Sequence, residues 1–302
     1  MTHPLFWILF ALFVIVMLGL DLGLHKRSQA ISLHKALIWS AVWVTLAVGF
    51  AAVLYFWQGR TATLEFTTAY VIELSLSVDN LFIFLLIFRY FRVPSGDQHK
   101  VLFWGIIGAI VMRGMFIVAG VGLFRKFGWI IYFFGALLIY SGIRFATEGD
   151  TEIHPEKSWM LKIFRKFIPV TDEYEGDKFF VRRSRLFATP LLLVLLLIET
   201  TDVLFATDSI PAVLAITLNV VVIFTSNIFA ILGLRSMYFA LSGMMEMFKY
   251  LHYGLSGVLV FVGTKMLIGH YYQISTRVAL ITVGVILLAS VIASAAGKKQ
   301  QL

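Results

Sequence analysis

Residues 71–84 read VIELSLSVDNLFIF, an apolar run that carries the carboxylates of Glu73 and Asp79. A second run, residues 198–212, reads IETTDVLFATDSIPA and carries three more acids, which are Glu199, Asp202 and Asp208. Each charge near the centre of a bilayer costs about 2.5–3.5 kcal/mol on the insertion scale. These acids are too costly to face lipid, so we predict a helix bundle in which they converge on positive charge.

The composition also indicates a membrane protein. Of the 302 residues, 60% are hydrophobic and 14% are charged, and the mean hydropathy of +0.89 is well above that of an ordinary soluble domain. A membrane helix needs about 20 apolar residues. The first run lacks the basic start and the cleavage site of a signal peptide, so we expect it to remain as a helix. The apolar runs predict an all-α polytopic protein with nine transmembrane helices, at about 5–24, 36–57, 68–88, 101–124, 128–146, 187–209, 219–247, 252–270 and 277–296.

The distribution of Lys and Arg predicts the orientation. With the N-terminus outside, 17 of these residues fall in cytoplasmic segments and only four in outer segments. Cytoplasmic loops are enriched in Lys and Arg, so we predict an outer N-terminus and a cytoplasmic C-terminus. The net charge of +8 is therefore a topology signal. Since no basic soluble domain accompanies it, we expect the lipid bilayer and no nucleic acid as a partner.

One long polar segment, residues 147–186, is called the connector here. It contains an amphipathic pattern over 160–168, which predicts a helix on the inner membrane surface. A solvated tether is one interpretation of the connector, and a gate is the other.

The connector separates two similar halves, repeat one at about 62–146 and repeat two at about 187–270, before the final helix at 277–296. Ser77-Val-Asp79-Asn80 resembles Ala206-Thr-Asp208-Ser209, and the next helix in each half carries one mid-span arginine. Each half holds three helices, so the copies have opposite orientations. Inverted repeats of this kind are typical of secondary transporters, whose sites lie near the midplane.

Helical geometry places Glu73, Ser77 and Asn80 on one face and directs Asp79 about 120° away. A straight helix cannot aim both acids at one ion, so we expect each acidic segment to be unwound or to face a broad polar cavity. Pro211 favours unwinding because it cannot donate to the carbonyl of Thr207.

Charge arithmetic favours a cation as the ligand. The five acids carry −5, while Arg113 and Arg235 supply +2, and the remaining −3 must be met by protons, by a cation or by both. We expect each arginine to pair with one acid. The chain has no cysteine, and every histidine falls in a loop or at a helix end. The remaining oxygen ligands suit Mg²⁺, Ca²⁺ or Mn²⁺. The predicted ligands are Glu73, Asp79, Asn80, Glu199, Asp202, Asp208 and Ser209.

The two acidic motifs, with Phe179-Phe180 and Ala188-Thr-Pro190-Leu before the second, resemble the TerC family of integral membrane proteins, and the pattern is most similar to its Alx branch. The resemblance covers nearly the whole chain. It implies a manganese exporter of a bacterial inner membrane in which the five acids matter for transport.

These observations lead to one main hypothesis and two alternatives. The main hypothesis is a secondary-active exporter of Mn²⁺ that exchanges the ion for protons, without enzymatic activity or a resident cofactor. The first alternative is a non-transporting scaffold or a metallation partner for secreted proteins. The second is an intramembrane aspartyl protease, which the absence of a Gly-x-Gly-Asp motif disfavours. The oligomeric state is left open.

Overall fold

The computed structural model describes residues 4–24, 33–127, 129–148, 168–171, 173–182, 186–242, 251–269, 271–272 and 274–298. Over these residues the fold is nearly all-α, as predicted, with one small hairpin in addition. Its elements are α1 (Pro4–Leu24), α2 (Leu33–Gln58), α3 (Arg60–Tyr90), α4 (Ser95–Lys126), α5 (Ile130–Glu148), β1 (Phe180–Arg182), β2 (Leu186–Ala188), α6 (Pro190–Leu214), α7 (Val220–Leu232), α8 (Leu234–Ser242), α9 (Leu251–Ile268) and α10 (Thr276–Lys298).

Five described helices are long and apolar enough to cross a membrane, namely α2, α3, α4, α6 and α10. Helices α7 and α8 pass the same test only when taken together, and they bend by 41° where they meet, as in a broken span or a re-entrant loop. The shorter helices α1, α5 and α9 are also apolar. The chain is therefore a multi-pass membrane protein, while the count of nine crossings stays a prediction.

The bend between α7 and α8 corrects the single helix predicted over 219–247. It falls at Gly233, where the helix ends and α8 begins one residue later. Gly233 itself keeps dihedral angles that any residue can adopt, with φ −77° and ψ −15°, so the bend does not depend on the backbone freedom of glycine. Residues 243–250 lie outside the described part of the chain.

The acidic segments are continuous helices, which corrects the expected unwinding. Every residue of α3 is helical, and α6 continues through Pro211. Pro211 removes one backbone donor, but the hydrogen bond from Ala215 N to the carbonyl of Pro211, 2.9 Å long, carries the helix onward. Glu73 and Asp202 reach Arg113 on α4, and Asp208 reaches Ser141 on α5, so these acids find partners without any unwinding of α3 or α6.

The two halves interlock through parallel helix pairs. Helix α3 runs alongside α7 and α8, with Glu65 bonded to Thr217 near one end and Phe88 against Tyr238 near the other. Helix α4 runs in the same way alongside α6. The first helix of each half thus packs against the second helix of the other half. A two-fold axis between the halves would produce the same arrangement. The repeat itself stays a prediction.

Helices α5 and α9 cross antiparallel with their backbones in contact. A Cβ atom on Gly263 would lie 2.6 Å from the carbonyl oxygen of Gly135. Further along, the hydroxyl of Ser256 donates to the carbonyl of Gly142 at 2.5 Å. Small residues permit this close approach, which is common where membrane helices pack.

The described part of the connector packs against the ends of helices from both halves. Strands β1 and β2 pair antiparallel, and the hydroxyl of Thr189 donates to the carbonyl of Lys178 at 2.6 Å. The hydroxyl of Tyr174 donates to the carbonyl of Phe91 at 2.8 Å. Burial, and after it the Asp97 carboxylate, raises the pKa of Tyr174 to about 12. Most of the amphipathic helix predicted over 160–168 lies outside the described residues.

Candidate ion site at the centre of the bundle

A buried ion triad joins both halves of the chain. Arg113 on α4 donates from Nη1 to Glu73 Oε2 on α3 at 2.7 Å. It also holds Asp202 on α6 with two bonds, Nε to Oδ2 at 3.2 Å and Nη2 to Oδ1 at 2.9 Å. The three residues are 0–3% exposed. Arg113 thus pairs with two acids, where the sequence predicted one, because its forked guanidinium can serve both at once.

Several buried oxygens around this triad have no hydrogen-bond partner among the described residues. Two belong to carboxylates, Glu73 Oε1 and Glu199 Oε2, and a third is the hydroxyl of Ser77, while the hydroxyl of Ser209 lies close enough to Glu73 to interact with its carboxylate. Buried polar atoms are nearly always bonded, so each exception in a native fold needs an explanation. Acceptor oxygens left over next to paired carboxylates are the groups that a hard cation binds.

Glu199 occupies space that a glycine provides. A Cβ atom on Gly108 of α4 would overlap the Glu199 carboxylate. Asp202 is close enough to act electrostatically on Glu199. A third acid therefore lies near the triad, and the predicted role of Glu199 as a ligand stays a prediction.

Asp208 lies in a different environment from the triad. Its Oδ1 accepts a 2.8 Å hydrogen bond from Ser141 on α5, and the charge of Arg144 acts on it. Ser209, the next residue along α6, is 1% exposed. Adjacent helical residues point in directions about 100° apart, so Asp208 and Ser209 face different neighbours.

The remaining predicted residues fall into two groups. Asn80 is buried, 4% exposed, on the same face of α3 as Glu73. The side chain of Asp79 lies outside the described part, so its role stays a prediction. Arg235 lies 3.2 Å from His99 through its Nη2, and its predicted pairing with an acid stays a prediction.

The described acids do not by themselves form a complete metal site. No three described His, Cys, Asp or Glu side chains come close enough to share one ion. Convergence of the five acids on one ion therefore stays a prediction. Among the described acids, Glu73 and Asp202 are bonded to Arg113, while Asp208 is bonded to Ser141 on α5.

The sequence interpretation missed a polar run in α7. Thr225, Ser226 and Asn227 follow one another inside an otherwise apolar helix, and all three are at most 2% exposed. Three consecutive polar residues within an apolar span provide the signal that could have identified them.

Two cavities lie at opposite ends of α6. The first, about 500 Å³, is lined by the end of α3, the connector and the start of α6, including Phe91, Tyr174 and Pro190. The second, about 470 Å³, is lined by the end of α6 with residues of α5 and α9, including Lys265. The triad lies between them along the helix.

Comparisons with known proteins give consistent results. Residues 58–302 match the family described as the integral membrane protein TerC family. One relative is "Uncharacterized membrane protein STKORF319" of Myxococcus xanthus. It is 47% identical over 293 residues, and the match covers 96% of this chain and 92% of the relative. Another relative is "Putative membrane-bound redox modulator Alx" of Escherichia coli K12. It is 44% identical over 301 residues, and the match covers 96% of this chain and 94% of the relative. No solved structure matches the chain.

Proposed function

The chain belongs to the TerC family of integral membrane proteins, and from this premise we propose that it exports Mn²⁺ across a bacterial inner membrane. The observation that carries the proposal is the surplus of buried, unpartnered oxygens beside the Arg113 triad. The N-terminus lies outside and the C-terminus in the cytoplasm, in accordance with the Lys and Arg distribution.

The charge of the central group matches a divalent cation. Glu73, Glu199 and Asp202 carry −3 when ionised and Arg113 carries +1, which leaves −2. In low dielectric this excess must be balanced, either by a cation or by protons on the carboxylates. A divalent ion and two protons are equivalent in charge, so exchange of one for the other conserves the balance of the site.

Arg113 competes with the transported ion. Its guanidinium bonds Oε2 of Glu73 and both oxygens of Asp202, which leaves Oε1 of Glu73 for a cation. A cation that also binds Asp202 would require Arg113 to release one of the Asp202 oxygens. The arginine keeps the carboxylates together and prevents their mutual repulsion from opening the bundle.

Some relatives are named as redox modulators, but the sequence of this chain argues against thiol chemistry. It contains no cysteine among its 302 residues, so thiol–disulfide exchange would need residues that it lacks. Oxygen donors suit a hard divalent ion, which is why we favour transport over a redox reaction.

Transport is tested with purified protein in proteoliposomes loaded with a Mn²⁺-sensitive dye. Wild type should give Mn²⁺ flux, and Glu199→Gln should reduce it at least tenfold, since it removes one charge that offsets ion dehydration. Asp79→Asn and Asp208→Asn should do the same. Glu173→Gln, at an exposed connector position, is the matched control and should transport normally.

Two outcomes would decide against the proposal. Absence of wild-type flux under all ion gradients would favour the scaffold or metallation role. Normal flux in Glu199→Gln and in both aspartate variants would remove the carboxylates from the mechanism. Proton release that accompanies Mn²⁺ binding, measured in detergent, tests exchange separately, because ligating carboxylates must be deprotonated.

A further inference from the structure

Asn227 on α7 has a buried carbonyl oxygen that the fold leaves unused. The side chain is 2% exposed, and its Oδ1 has no hydrogen-bond partner within the described structure. Its two polar neighbours are different, because their hydroxyls donate to carbonyls of their own helix. Thr225 donates to Val221 at 2.7 Å, and Ser226 donates to Ile223 at 3.1 Å.

The neighbours of Asn227 along α7 show that it lies on a buried stripe of the helix. Residues four apart lie on one face of a helix, so Ile223, Asn227 and Ile231 form a stripe. Ile223 belongs to the buried cluster that contains Leu76 of α3, and Ile231 belongs to the one that contains Leu81. Both clusters also contain residues of other helices, so this stripe is buried inside the bundle, where α7 packs against both α3 and α4.

The middle of α3 contains polar residues of the candidate ion site. Ser77 follows Leu76 directly and is fully buried, with its hydroxyl unpartnered among described groups. Asn80 precedes Leu81 and is also buried. On the α4 side, the ring of Phe224 lies 3.2 Å from the position of a Cβ atom on Gly114, the residue after Arg113. Asn227, one turn from Phe224, thus belongs to a helix that packs against both α3, which holds Glu73, and α4, which holds Arg113.

We propose that Asn227 supplies a neutral oxygen ligand to the transported ion. This inference rests on the proposed function and adds a residue to its site. A hard divalent cation takes six or more oxygen ligands, and the described acids do not provide three at one point. Amide and hydroxyl oxygens from Asn227, Ser77 and Ser209 complete the coordination without adding negative charge.

A neutral ligand has a specific advantage at this position. The central group already carries net charge −2, and another carboxylate would raise the cost of the site whenever no cation balances it. The carbonyl oxygen of an amide binds a hard cation and does not titrate. Asn227 therefore keeps its capacity to bind at pH values where the neighbouring acids take up protons.

A purely structural role does not explain the residue as well. A buried amide oxygen without a partner loses its hydrogen bonds to water, and an apolar residue of similar size would avoid that cost. If Asn227 only packed between helices, Asn227→Leu would stabilise the protein and leave ion binding unchanged.

The test measures Mn²⁺ affinity of detergent-purified protein by calorimetry, with thermal unfolding as a second readout. Asn227→Leu should weaken Mn²⁺ binding at least tenfold with equal or higher thermal stability. Thr225→Val, at a fully buried neighbour whose hydroxyl is already bonded to its own helix, is the matched control and should bind as wild type does. Asn227→Asp keeps an oxygen and should bind at least as tightly as wild type, which covers the case in which the leucine variant does not fold.

The possible results separate this inference from the proposed function. If wild type binds no Mn²⁺, both are wrong. If wild type and Thr225→Val bind and Asn227→Leu binds equally well, only the role of Asn227 is wrong. Weaker binding by a folded Asn227→Asp variant would also contradict it.

Discussion

Replacing Arg113 with alanine should destabilise the protein more than any single neutralisation of an acid. The change removes three charged hydrogen bonds, one to Glu73 and two to Asp202. It leaves two buried carboxylates without their counter-charge. Breaking a buried pair by removing one partner costs about 3–5 kcal/mol, and the presence of two acids places the expected loss near the upper value, about 5 kcal/mol.

A second substitution tests whether the unpaired carboxylate charge causes the loss of stability in Arg113→Ala. Asp202→Asn in the Arg113→Ala background removes one of the stranded charges and should restore about 2 kcal/mol. The cavity left by the arginine side chain remains, so recovery should be incomplete. Arg113→Lys keeps the charge but loses the fork that serves both acids, and we expect a loss between that of alanine and wild type.

Stability is measured as the free energy of unfolding in mixed micelles, by titration with a denaturing detergent, together with the amount of protein in the membrane. Each variant is compared with Asp202→Asn alone, which completes the double-mutant cycle. If Arg113→Ala accumulates normally, unfolds as wild type does and yet fails to transport, Arg113 acts in the mechanism only. A double variant less stable than Arg113→Ala would show that stranded charge is not the cause of the loss.

Two further predictions concern contacts away from the triad. Gly108→Ala should displace the flexible Glu199 carboxylate and reduce Mn²⁺ flux at least tenfold with little loss of stability. Gly263→Ala should instead lower thermal stability, because its Cβ would meet a backbone carbonyl of α5. Equal effects of the two variants on stability would contradict this reasoning. The pKa of Tyr174 is raised to about 12 from the usual 10, so its contribution to stability is complete below pH 10 and is lost as pH rises from 10 to 12. The ultraviolet titration of tyrosinate in wild type minus Tyr174→Phe should show this midpoint, and a midpoint at 10 would mean that the hydroxyl is not held in the fold.

The apolar pattern was sufficient to predict most of the fold, because the cost of exposing polar backbone in lipid leaves helices as the main solution for long apolar runs. The same periodicity placed Glu73, Ser77 and Asn80 on one face of α3, and all three are buried in the structure. Local pattern also located the arginine in α4.

The partners across helices could not be predicted in the same way. That Arg113 holds acids of both halves depends on how α3, α4 and α6 pack, which involves residues up to 89 positions apart. The hydrogen bond between Ser141 and Asp208 depends on the tilt of α5, which no residue spacing records. Asn227 was overlooked because an uncharged amide gives a weaker signal in an apolar run than a carboxylate does.

The attachment of the connector has a mechanical consequence for the bundle. At that end, Tyr174 is bonded to the residue after α3, Lys100 of α4 contacts Asp177, and Thr189 at the start of α6 is bonded to Lys178. The connector therefore crosslinks helices of both halves through these contacts. At the opposite end, separate side-chain hydrogen bonds such as Thr217 to Glu65 join the halves. If the two halves move relative to each other, we therefore expect the end held by the connector to act as the hinge and the opposite end to open.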